Sequence, residues 1–201
     1  WLADDWREAG LNRLIRGDAS IAVVASASGP EIHTRVRYSA EEGGFHLESV
    51  WHFGPDGTLA LTHQFLPFGD LPYLPRLGAD WILDRELDQL TWLGRGPHEN
   101  YPDRLESAFP GVWSGTVKEQ YVPYSRPQAT GNKEGVRWMA LRNHQGNGVL
   151  FGSMDEPFSA TALHHTTSDL DEATHTHELQ PRPEVFLTLD AAHMVLGNSS
   201  C

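Results

Sequence analysis

Apolar and polar residues alternate along many segments of the chain, and this period of two predicts half-buried β-strands. The first four such segments span residues 20–27, 31–38, 45–53 and 58–66. Glycine and proline residues lie between them, at positions 29–30, 42–44 and 54–57. Because short turns of this composition join neighbouring antiparallel strands, the four segments predict an antiparallel meander.

The rest of the chain also reads mainly as strand. Six further strands are predicted at residues 77–83, 89–94, 136–143, 148–154, 159–163 and 185–189. Only two short helices are expected: one capped by Asp4 or Asp5 and extending to Ile15, and one capped by Thr167 or Ser168. Residues 94–135 have little periodicity and predict a long ordered loop. This pattern predicts an all-β fold, a large antiparallel sandwich in one domain, 1–201.

Composition narrows the classes of function. The chain has 201 residues, with 27 acidic against 15 basic side chains and a net charge of -12. A surface of that sign repels phosphate backbones and anionic lipids, which argues against nucleic acid and membrane partners. No signal peptide or apolar span of ~20 residues is visible, so a cytoplasmic location is expected. The chain begins without Met, and we expect it to be a piece of a longer protein.

Chemically versatile residues are densest between Trp92 and Arg104. Carboxylates, an amide and aromatic rings together are typical of a sugar site, although the same residues also build turns. A retaining glycosidase needs two carboxyl groups about 5–5.5 Å apart, and the spacing of the acids at 99, 103, 106 and 119 singles out no pair. We therefore expect Glu99, Asp103 and Arg104 to be hydrogen-bonded within a fixed loop.

Histidine is frequent, with 11 residues. The histidines at 164, 165, 175 and 177, with the acids at 169, 171 and 172, admit a metal-cluster interpretation. Their spacing matches no standard zinc signature, so strand and loop histidines are the favoured interpretation and no metal site is predicted. No nucleophile-elbow or phosphate-loop motif occurs in the chain.

Thirteen consecutive residues carry a family resemblance. The sequence Trp-Leu-Gly-Arg-Gly-Pro-His-Glu-Asn-Tyr-Pro-Asp-Arg at 92–104, with 121–128 downstream, resembles the C-terminal domain of the large β-galactosidases of glycoside hydrolase family two. The stretches 175–179 and 189–194 match the same family in the same order. The resemblance marks a structural motif made of Gly94, Gly96, Pro97, Glu99, Asn100, Tyr101, Pro102, Asp103 and Arg104.

The resemblance implies a fold, a reaction and partners. It implies an incomplete C-terminal domain with a galactose mutarotase-like supersandwich. The parent enzyme would hydrolyse terminal non-reducing β-D-galactose, with its catalytic glutamates on a (β/α)8 barrel that this chain lacks. This chain would then hold no catalytic residue, complete the sugar site, support assembly and be inactive alone. The implied partners are the rest of the polypeptide, a galactoside such as lactose, and further copies in a homo-oligomer.

The same resemblance bears on cofactors and substrate contacts. It implies no cofactor in this chain, with Mg²⁺ and Na⁺ as metals of the parent enzyme. His193 and Cys201 are the implied substrate-binding residues, since Cys201 stands where members of the family carry either a sugar-stacking Trp or a Cys.

Two other functions stay open at this point: a self-contained mutarotase-like aldose epimerase and a carbohydrate-binding module. Asn143-His144 resembles the epimerase family, but the following 145–148 predict a hairpin turn.

Overall fold

The computed structural model describes residues 2–26 and 29–194. The chain forms two compact units, residues 1–74 and 75–201. Both units consist mainly of antiparallel strands, which confirms the all-β prediction. The single-domain organisation and the mutarotase-like supersandwich stay predictions.

The first unit is the predicted meander. Four antiparallel strands follow one another in the order β1-β2-β3-β4. Cross-strand pairing aligns Val23, Ile32, Trp51 and Leu61 in one apolar row across the sheet. The strands are β1 (Ile15–Ser26), β2 (Gly29–Ser39), β3 (Gly43–Phe53) and β4 (Leu59–Gly69).

The first helix is shorter than predicted. Helix α1 (Leu2–Glu8) ends before Gly10, which has a φ of 76°. A left-handed conformation cannot continue an α-helix, so the chain turns into a single 3₁₀ turn at Leu11–Arg13. The predicted extension to Ile15 is therefore wrong, and Ile15 starts β1.

The second unit contains two four-stranded sheets, in the orders β10-β9-β6-β7 and β5-β12-β11-β8. Both contribute side chains to one apolar core, in which Trp92 and Met139 come from the first sheet and Ala160 and Leu187 from the second. The strands are β5 (Arg76–Leu83), β6 (Gln89–Gly96), β7 (Phe109–Thr116), β8 (Lys133–Val136), β9 (Trp138–Arg142), β10 (Gly148–Gly152), β11 (Phe158–Leu163) and β12 (Val185–His193).

Residues 94–135 are not one continuous loop. Strand β7 lies inside this segment and pairs along the whole of β6. Gly94 and Gly96 also belong to β6, and neither has a positive φ. A Cβ at Gly96 would lie 2.6 Å from the indole ring of Trp113, so the residue is needed for close packing and not for a turn.

Helix α2 (Thr167–Glu172) begins where expected to within one or two residues. Its N-cap is Thr166, not Thr167 or Ser168. The hydroxyl of Thr166 accepts from the backbone N–H of Asp169, and the Asp169 carboxylate accepts from the N–H of Thr166. This reciprocal capping box fixes the helix start.

Candidate functional site

The segment after β6 is held by a tight turn. The N–H of Arg104 donates to the carbonyl oxygen of Tyr101 at 2.9 Å, which places Pro102 and Asp103 at the exposed centre of the turn. Proline suits the second position because its ring presets φ. The turn directs Tyr101 inward, where its side chain is only 8% exposed.

The carboxylate of Glu99 is the centre of the site. One oxygen accepts from Arg104 at 2.7 Å and from the hydroxyl of Tyr124. The other accepts from the backbone N–H of Gly131 at 2.7 Å and from the Thr130 hydroxyl at 3.2 Å. The side chain of Glu99 is 8% exposed, and all four donors lie within this unit. Burial and the hydrogen bond to Glu99 raise the pKa of Tyr124.

Asn100 ties the same segment to the sheet. It is fully buried, and its backbone N–H donates to the carbonyl of Asn132 at 2.9 Å. The Asn132 side-chain amide donates back to the Asn100 carbonyl at 2.9 Å and to Glu134 at 2.6 Å. Glu134 also accepts from Ser159 on β11 at 2.7 Å. Glu99 and Asn100 are therefore parts of a continuous hydrogen-bonded network.

Lys133 is a buried cation within this network. Its ammonium group donates to the carbonyl of Gly131 at 2.9 Å and lies 5.3 Å from the ring centroid of Trp92. Burial lowers the pKa of Lys133 to about 8, and the negative charge of Glu99 opposes that shift. Glu99 therefore has two cationic neighbours, Arg104 and Lys133.

Tyr101 and His193 pack together at the end of β12, with ring centroids 6.0 Å apart. The Tyr101 hydroxyl and His193 Nδ1 are buried, and neither has a hydrogen-bond partner among the residues that the structure describes. Burial lowers the pKa of His193, as does Arg76, whereas Asp190 and Glu134 raise it. Arg76 on β5 donates a hydrogen bond at 2.6 Å to Asp190 on the neighbouring strand β12.

His193 is the last residue of β12, and the other implied substrate-binding residue, Cys201, lies outside the described residues. The two unpartnered polar atoms therefore lie at the end of β12. This end of β12 is therefore one of the places in the unit that call for a partner.

The remaining candidate carboxylates behave as ordinary turn or surface groups. Asp103 is exposed and forms no hydrogen bond with the described residues, contrary to the expectation for it. Glu119 accepts from the backbone N–H of Thr116 at 2.7 Å, and this bond lowers its pKa. Glu106 is exposed.

The histidine-rich segment has other contacts. No group of three or more His, Cys, Asp or Glu side chains in the described part of the chain is arranged to hold a metal ion. Asp169 accepts two hydrogen bonds from Arg182 at 2.7 Å, and this contact strongly lowers its pKa. His175 and His177 contact one another at a ring-centroid distance of 5.5 Å.

The predicted hairpin turn after Asn143 is confirmed. The side-chain carbonyl of Asn143 accepts from the N–H groups of Gln145 and Asn147, each at 3.0 Å. His144 projects from this turn with a side chain that is 82% exposed. An acid or base for epimerisation has to face a bound sugar, and this histidine has no such enclosure.

Three partners of the candidate site were not predicted from the sequence. Tyr124, Thr130 and Gly131 contact Glu99 across 25, 31 and 32 residues of chain. The resemblance at 121–128 was the available signal, since it marks Tyr124 as part of the same pattern.

Two antiparallel sheets around one core, with a polar segment held by its own hydrogen bonds, define the second unit as a β-sandwich. The family model for the beta galactosidase small chain matches residues 2–201. The chain therefore belongs to the beta-galactosidase small-chain family.

Curated relatives carry the same name. The chain is 32% identical over 204 residues to a beta-galactosidase of Arthrobacter, covering 98% of this chain and 20% of that protein. It is 32% identical over 200 residues to the beta-galactosidase of Vibrio cholerae, covering 98% of this chain and 18% of that protein. For the beta-galactosidase of Priestia megaterium the identity is 35% over 142 residues, which cover 71% of this chain and 14% of that protein. The chain thus spans a fifth or less of these relatives.

The described residues include no helix long and apolar enough to cross a membrane.

Proposed function

We propose that this chain is the part of a β-galactosidase that completes and supports a sugar site formed elsewhere in the polypeptide. The parent reaction is the hydrolysis of terminal non-reducing β-D-galactose by a retaining, two-carboxylate mechanism. Both catalytic carboxylates lie outside this chain. The family match over residues 2–201 and the names of the relatives support the reaction.

The observation that carries the supporting role is the state of Glu99. Its two oxygens accept four hydrogen bonds and its side chain is 8% exposed. A general acid must carry a proton to the leaving group, and a nucleophile must reach the anomeric carbon. A carboxylate enclosed by four donors is arranged for neither role, so Glu99 fixes the loop and does not act on substrate.

The proposal extends to the substrate contact. Tyr101 and His193 pack together at the end of β12, and Cys201 follows eight residues after His193. As the family resemblance implies, Cys201 is assigned to the aglycone subsite of the parent enzyme. Cys201→Trp in the parent enzyme should then strengthen lactose or glucose binding roughly fivefold, about 1 kcal/mol, while a small aryl galactoside is little affected. An equal response of both substrates would refute this placement.

The same proposal assigns no metal or cofactor to this chain, leaving Mg²⁺ and Na⁺ to the parent enzyme. It places the enzyme in the cytoplasm as a homo-oligomer, with the rest of the polypeptide as the immediate partner of this chain.

A complementation assay tests the proposal. The purified chain should not hydrolyse a chromogenic β-galactoside, whereas adding it to the parent polypeptide that lacks these residues should restore turnover. Glu99→Gln should reduce restoration by weakening the fold, and Asp103→Asn, an exposed matched control, should not. Turnover by the isolated chain that survives purification and disappears in Glu99→Gln would show that the chemistry is in this chain.

A further inference from the structure

A separate cavity of about 210 Å³ lies among the short connections of the second unit. Its walls come from three places in the sequence: the 3₁₀ turn after β7, the link between β11 and α2, and the segment at Thr176–Leu179. One lining residue, Thr176, is joined to the Glu99 network, since its hydroxyl donates to the carbonyl oxygen of Tyr124 at 2.8 Å. A cavity of this volume exceeds the ~150 Å³ that holds one benzene molecule, so it has room for one small ligand.

Two lining residues leave buried polar atoms without partners. Tyr121 and His165 pack with ring centroids 5.2 Å apart. The Tyr121 hydroxyl and His165 Nδ1 have no hydrogen-bond partner among the described residues, and His165 is only 7% exposed. Buried polar atoms nearly always have a partner, because leaving one unsatisfied is costly. Two such atoms on adjacent side chains of one cavity therefore point to a ligand that supplies hydrogen bonds.

The charges of the lining indicate what kind of ligand fits. Burial lowers the pKa of His165 and raises that of Tyr121, so both groups are neutral at pH 7. Among the described residues, no Asp or Glu lines the cavity to attract a cation, and its lining includes one lysine, Lys118. Buried neutral partners favour the hydroxyl groups of a neutral ligand over a carboxylate or an ammonium group.

The remaining walls are apolar. Val117, Leu179 and Pro181 line the cavity together with the aromatic ring of Tyr121. A pyranose ring has one face of C–H groups and a periphery of hydroxyl groups, which matches an apolar wall beside buried polar atoms. We propose that the cavity between Tyr121, His165 and Leu179 is a binding site for a neutral monosaccharide in its pyranose form. This site is independent of the proposed β-galactosidase reaction.

Titration of the ¹⁵N-labelled full chain with D-galactose and D-glucose, followed by amide chemical shifts, tests the site. For a ligand of this size we expect saturable shifts around His165 and Leu179 with a Kd of the order of 1 mM. Tyr121→Phe removes only the hydroxyl and should weaken binding about tenfold. Tyr101→Phe removes the other unpartnered phenol of this unit, outside the cavity, and should leave binding within about twofold.

A cavity-filling variant gives a second measurement. Leu179→Trp should abolish the shifts while its spectrum keeps the dispersion of the folded chain. Absence of saturable shifts at about 100 mM sugar, a hundredfold above the expected Kd, would overturn the proposal. Equal weakening by Tyr121→Phe and Tyr101→Phe would do so too. Tighter binding of sodium acetate or benzyl alcohol than of either sugar would assign the cavity to an anion or an apolar ligand and would also overturn it.

Discussion

Replacing Glu99 by glutamine is expected to lower the free energy of unfolding of the second unit by about 2–4 kcal/mol. The change keeps the size of the side chain but removes its charge and converts one oxygen into an NH₂ group. Four donors now point at the carboxylate, and glutamine offers an acceptor to only one pair of them. The other pair of donors then faces the NH₂ group of the glutamine, which is itself a donor.

The magnitude follows from the burial of those donors. The N–H of Gly131 is buried, and an unsatisfied buried donor costs about 1–3 kcal/mol. Loss of a charged acceptor for the Tyr124 hydroxyl adds a contribution of similar size. The contact with Arg104 contributes less, because the Arg104 side chain is 51% exposed and water screens its charge.

Urea unfolding of the wild-type chain and the variant measures the difference. With a slope of about 2 kcal/mol/M, a loss of this size lowers the midpoint by roughly 1–2 M. The matched control is Asp103→Asn, which removes the same charge four residues along the chain. The Asp103 side chain is exposed and has no hydrogen bond with the described residues. Its effect should stay within about 0.5 kcal/mol. If the two variants unfold at the same midpoint, the Glu99 contacts do not stabilise the unit.

Three further predictions concern the same unit, each measured by urea unfolding. Gly96→Ala should destabilise by about 1–3 kcal/mol because its Cβ would meet an indole ring at 2.6 Å, whereas Gly152→Ala, with its nearest neighbour at 3.8 Å, should be close to neutral. Arg76→Met should cost about 3–5 kcal/mol by leaving the buried Asp190 unpaired, and a smaller loss would mean that water replaces Arg76. Lys133 has a pKa of about 8 in the folded chain, below the value of lysine in the unfolded chain. The unfolded state therefore binds more protons, and the free energy of unfolding should rise by roughly 2 kcal/mol between pH ~7 and ~9.5. Lys133→Met should remove that rise.

The strands could be predicted because each carries its own signal. In the first unit, alternation predicted the four strands, and the observed register aligns Val23, Ile32 and Trp51 in one row across them. Short turns then determine which strands pair, so the meander follows from local information. The end of α1 shows the limit of this approach, since the apolar residues up to Ile15 fit a helix while Gly10 adopts a left-handed φ that ends it.

Strand β7 was not predicted, because proline and glycine interrupt its alternation of apolar and polar residues. Phe109–Thr116 contains one proline and two glycines, residues that normally indicate a loop. Gly111 is tolerated because the Trp113 ring lies over it, with the nearest ring atom 3.2 Å from where a Cβ would stand. Packing of one aromatic ring against glycines on two strands is a tertiary effect, and the residue sequence of β7 alone does not contain it.

The role of Glu99 depends on the same kind of information at longer range. Within its own segment, Glu99 has only Arg104 as a charged partner, and such a pair is equally compatible with a sugar site or a turn. The role of Glu99 is determined by its contacts with Tyr124, Thr130 and Gly131, which the pairing of β8 with β11 places beside it. Because those contacts form only when the sheet forms, the loop and the sheet should lose their structure together. In the sequence, Glu99 suggests a role in catalysis or sugar binding. In the folded unit, its hydrogen bonds hold a polar loop in one conformation.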